Sequence, residues 1–62
     1  MTLKQIFHSA SHAGSGSTLD IVHNDENGLF GVIVFDGEYK DLIVINRETV
    51  RDMMAALQKV VG

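Results

Sequence analysis

Cysteine is absent from the 62 residues, and aromatic side chains are few: three phenylalanines, one tyrosine and no tryptophan. Without cysteine there is no disulfide scaffold, no thiol chemistry and no thiolate metal site. Bases are scarce too, with five Lys and Arg in total. Tight binding to a phosphate backbone draws on many such contacts. Five scattered bases make no broad basic face, so general nucleic-acid binding is disfavoured. The apolar runs fall far short of the ~20 residues that span a bilayer, and no charged-then-apolar leader opens the chain. A soluble cytoplasmic protein without a membrane partner is the expectation. Catalytic signatures are missing as well: there is no G-x-S-x-G elbow, and Gly14-Ser15-Gly16 is an incomplete version of one. A chain this short rarely encloses a nucleophile, a base and an orienting acid in one water-excluding pocket, so no enzyme and no cofactor are expected.

What is present is apolar: 45% of the residues are hydrophobic and 21% charged. That balance opposes disorder and suits one small domain over residues 1–62. The net charge is -3, and its distribution is uneven. Asp20, Asp25, Glu26, Asp36, Glu38 and Asp41 are clustered in a stretch whose only base is Lys40. An acidic patch facing a protein partner with a basic surface follows more readily than any nucleic-acid role.

The pattern of elements is clearest at the C-terminal end. Val50, Met53, Met54, Leu57 and Val61 recur at i, i+3, i+4, i+7 and i+11, one face of an amphipathic helix over about 47–61. Asn46 suits its N-cap, Glu48 its first turn and Lys59 its last. The methionines are read as core residues, with an adaptable binding surface as the other use. Leu42-Ile43-Val44-Ile45 and the run Leu29 to Phe35 are branched and strand-like. Asp36-Gly37 between them is expected to be a two-residue hairpin turn, with the second strand running from about Glu38 to Ile45.

Thr18 to Asn24 alternates, with Leu19, Ile21 and His23 on one side and Thr18, Asp20, Val22 and Asn24 on the other. It joins the next strand through Asp25-Glu26-Asn27-Gly28. A type I turn closed by a left-handed Gly28 is favoured there over a two-residue Asn27-Gly28 turn, and the two differ in register. Residues 3–13 read as either element. As a helix, Thr2 and Gln5 form a capping box and Leu3, Ile6, Phe7 and Ala10 share a face. As a strand, Lys4 to Ala10 joins the sheet, and the poor helix propensity of His8, Ser9, Ser11 and His12 favours this slightly. The fold class is therefore α+β: an antiparallel β-meander of three to four strands with a C-terminal amphipathic helix, ββββα, with αβββα as the alternative.

Strands alternate sides, so Val32 and Val34 oppose Ile33 and Phe35, and Leu42 and Val44 oppose Ile43 and Ile45. Both faces of the central strands are apolar. One helix is expected to cover one face, and a second copy or another protein the other, which makes a homodimer the leading expectation.

Four features carry candidate chemistry. Ser11, His12, Ser15 and Ser17 lie in a Ser/Gly/His stretch whose backbone amides, hydroxyls and imidazole suit a phosphate or nucleotide, although a plain linker has the same composition. It ends in neither Gly-Lys-Ser/Thr nor G-x-G-x-x-G. Asp25, Glu26, Asp36, Glu38 and Tyr39 are the candidate partner-binding residues, with Tyr39 able either to insert into a partner or to cover a sheet edge. His8 and His12 share no metal if extended, since four residues on a strand span ~13 Å, and no metal site is expected. His23 reads as an exposed or edge histidine.

Four antiparallel strands followed by a helix resemble, in architecture, the domain of the positive-cofactor type of single-strand-binding coactivators, which dimerise through their helices. That resemblance implies a single-stranded nucleic-acid binder, but the basic and aromatic residues such proteins use are missing here. A small, acidic, cysteine-free chain is also similar in profile to many phage-encoded inhibitors that block host proteins. The leading expectation is a non-enzymatic binding module, a homodimer that occupies or inhibits a partner macromolecule. A small-ligand binder with its site at a subunit boundary is the alternative.

Overall fold

The structure, a computed structural model, describes residues 3–10 and 16–62. Four strands, β1 (Leu3–Ala10), β2 (Thr18–Asn24), β3 (Phe30–Phe35) and β4 (Lys40–Ile45), are followed by one helix, α1 (Arg47–Val61). The strands form one antiparallel sheet in the order β1-β2-β3-β4, so the ββββα reading of the sequence holds. The first segment is a strand, and the hydrophobic spacing that could have made it a helix is spent differently. Gln5 pairs with Val22 and Phe7 with Ile21, which leaves Ile6 as the extra residue of a bulge.

The β2–β3 connection follows the favoured reading. Asn24 donates its amide to the Leu29 carbonyl (2.9 Å) and accepts from the Gly28 amide (2.9 Å), closing a four-residue loop. Gly28 sits at φ +74, where a side chain would be strained. Asn24 Oδ1 accepts from the Glu26 amide and Asn27 Oδ1 from the Leu29 amide, each at 2.9 Å.

The β3–β4 turn differs from expectation. Asp36-Gly37 are not its two central residues: Asp36 donates its amide to the Tyr39 carbonyl (3.0 Å), which centres the turn on Gly37-Glu38. Strand β4 accordingly starts at Lys40, not Glu38. The reason is the Asp36 carboxylate. Its Oδ1 accepts from the amides of Glu38 (2.9 Å) and Tyr39 (2.7 Å), an arrangement that puts the aspartate before the bend and Gly37, at φ +100, inside it.

Cross-strand pairs fix the two faces. Val32 pairs with Ile21 and Ile43, and Phe7 pairs with Ile21, on one face. Ile33 pairs with Asp20 and Leu42, and Gly31 with Val22 and Val44, on the other. Both faces carry branched apolar side chains across the inner strands, as the alternation requires.

The helix does not cover either face. It has the expected bounds and caps: Asn46 Oδ1 accepts from the Thr49 amide (2.8 Å), Glu48 lies in the first turn and Lys59 in the last. Yet no hydrophobic side chain is buried among the described residues, and Met54 and Leu57 on the apolar stripe stay 63% and 58% exposed. Met53 and Met54 therefore fill no core within this chain. The cause is the junction. Only Asn46, itself extended at φ -96 and ψ 174, separates β4 from α1. Reversing a chain from a strand onto its own sheet takes about two to six residues. One residue carries the helix away instead.

The dimensions agree. The Cα trace extends 35 × 33 × 15 Å with a radius of gyration of 12.9 Å. Four strands at ~4.8 Å spacing make a sheet only ~14 Å wide, so a helix laid on it would stay within a narrower outline. A compact chain of this length has a radius of gyration of ~10.6 Å. No helix among the described residues is long and apolar enough to cross a membrane.

Candidate functional site

The sheet topology sorts the candidate residues to its two ends. Asp25 and Glu26 lie in the β2–β3 loop, at the end where α1 begins. Asp36, Glu38 and Tyr39 form the β3–β4 turn at the opposite end, ~20 Å away along the six residues of β3. The two acidic hairpins are not brought together into one patch. They are two separate exposed acidic ends.

At the turn end, the carboxylate of Asp36 is held below its ordinary value of 3.8, first by the Tyr39 amide and then by that of Glu38. It is an anion throughout the neutral range. Asp41 follows on β4, also exposed, and Tyr39 is 67% exposed.

Of the four residues proposed to hold a phosphate, Ser11, His12 and Ser15 lie outside the described residues. Ser17 lies beside a shallow hollow of about 370 Å³ that Ser9, Thr18, Leu19, Phe35 and Asp36 also line. Asp36 gives that hollow a negative charge, which opposes an anionic ligand.

Two histidines have partners that the sequence did not reveal. His8 Nδ1 lies 2.5 Å from Asp20 Oδ1, a cross-strand contact set by the β1–β2 register. The signal was present only in the pairing, because twelve residues separate the two in the chain. His23 is not an edge residue: it lies on the inner strand β2, is half-buried, and its ring stands 4.6 Å from that of Phe30. Among the described residues no three His, Asp or Glu side chains come together as a metal site would need.

The basic residues are divided among three elements. Lys4 is on β1, Lys40 at the start of β4, and Arg47, Arg51 and Lys59 on α1.

The second hollow is a feature that sequence reasoning missed. It is an apolar groove of about 330 Å³ over the face that carries Gly31, walled by Leu3, Val22, Leu29, Ile33, Leu42 and Val44, with Asn24 and Asn27 at its end. Gly31 is its floor: a Cβ there would lie 3.0 Å from Val22 Cγ2 and 3.1 Å from Leu42 Cδ1. Gly31 is buried, and its missing side chain makes room for Val22 and Leu42, which close over the backbone there. No protein-family model matches the chain, and no curated protein or solved structure matches it either.

Proposed function

We propose that this protein is a non-enzymatic binding module that works as a homodimer and occupies the basic surface of a partner macromolecule. The observation that carries the reading is the missing core. A chain whose sheet is apolar on both faces, and whose described residues bury no hydrophobic side chain, is built to be completed by another molecule. The exposed acidic ends, Asp25-Glu26 and Asp36-Glu38, supply the charge for a second, polar contact. Of the alternatives, a phosphate ligand meets the Asp36 carboxylate in the hollow beside Ser17. A single-strand binder would draw on more bases than the five this chain has.

A fluorescein-labelled oligolysine peptide is a defined stand-in for a basic surface. The chain should bind it in low salt with a light-scattering mass of twice 6.8 kDa. Binding should weaken with added salt and with Asp25→Lys or Glu38→Lys, while Asp52→Lys on the helix should leave it unchanged. Affinity indifferent to salt and to the two hairpin reversals would refute the electrostatic half of the reading.

A further inference from the structure

We propose that the groove over Gly31 is the seat of helix α1 from a second copy of this chain, so that two chains exchange helices and each covers that face of the other's sheet. This rests on the dimeric reading above and specifies its interface.

Three independent observations lead there. The first is covalent. With Asn46 alone between β4 and α1, shorter than the usual connection, the helix does not turn back over its own sheet and is left able to lie on a neighbour's. The second is shape and chemistry. The groove is a trough lined by branched apolar side chains, and the helix is a rod with an exposed stripe of Met53, Met54 and Leu57. Each surface lacks what the other presents.

The third is area. A compact monomer of 6.8 kDa exposes ~4,000 Å². This chain exposes 5007 Å². The excess is about 1,000 Å² for each chain, or about 2,000 Å² for a pair, and stable interfaces bury ~1,200–2,000 Å² or more in total. Reciprocal docking of two helices on two grooves makes a closed, two-fold interface in which the same patch is used twice.

The natural absence of cysteine makes the test clean. Two single-cysteine chains of different tag length, one Met54→Cys on the helix and one Leu42→Cys in the groove, are mixed, allowed to exchange and treated with a short bis-maleimide. The pair Leu57→Cys and Val44→Cys repeats the test at independent positions. The expected product is a covalent pair containing one long-tagged and one short-tagged chain, in a sample whose light-scattering mass is that of a dimer.

A dimeric mass with only groove-to-groove or helix-to-helix products would overturn the exchange of helices and leave the homodimer standing. A monomeric mass at millimolar chain would overturn both. So would a doubly substituted chain that closes on itself under dilution, because the helix would then lie on its own sheet.

Discussion

Replacing Leu42 by aspartate separates a groove that is filled by a second chain from one that faces water. In the single chain Leu42 is 60% exposed. Fully burying a leucine stabilises by ~1.5–3 kcal/mol, so about 1–2 kcal/mol remains to be gained when the groove is covered. A two-fold dimer has two such grooves, which makes the loss in Leu42→Asp ~2–4 kcal/mol before the cost of placing two carboxylates in an apolar trough. At 1.4 kcal/mol per tenfold, the dimer dissociation constant should rise by at least ~30-fold and as much as ~1,000-fold. Sedimentation velocity over a dilution series reads this directly, whether or not the released chain stays folded. A surface change away from such features stays within about ±0.5 kcal/mol, and Lys59→Ser is the control for that case. An aspartate at position 42 that left both the mass and its concentration dependence unchanged would refute a covered groove.

Three further outcomes follow from local contacts. Asn46→Ala removes the acceptor for the Thr49 amide and should destabilise the helix by about 1 kcal/mol, seen as a lower thermal midpoint at fixed chain concentration. Asp36 has its folded pKa lowered by the Tyr39 and Glu38 amides, so its contribution is complete above the ordinary value of 3.8 and is lost as pH falls through the lowered one. Carboxyl NMR should place Asp36 below 3.8. Asp36→Asn should make stability less sensitive to pH in that acid range, and a carboxyl titrating at or above the ordinary value would contradict the turn geometry.

The strands and the helix were legible in the sequence because their signals are local. Leu42 to Ile45 is branched throughout, the Val50 to Val61 stripe repeats at helical spacing, and Asn46 announces the cap. The first strand was nearly hidden, because an extra residue at Ile6 breaks the alternation and imitates a helical face. The turn at Asp36-Gly37 was displaced by one residue, since the composition says that a bend is near but not which amides the carboxylate will take. Periodicity also says which side of a strand is apolar without saying what lies against it. That is why the helix was expected on the sheet and is found beside it. The groove escaped notice for a related reason: its floor is a glycine on β3, and its walls come from four strands whose register the sequence does not print. The candidate site was partly legible, in the two acidic hairpins, but their separation to opposite ends follows only from the meander.

A chain whose described residues bury no hydrophobic side chain has little to protect it while it is alone. Where folding and association are one event, abundance governs survival: a dilute population is exposed to proteases, and a concentrated one shelters itself. Synthesis rate would then act as a threshold, and the protein would disappear soon after its production stopped, with no dedicated degradation signal required.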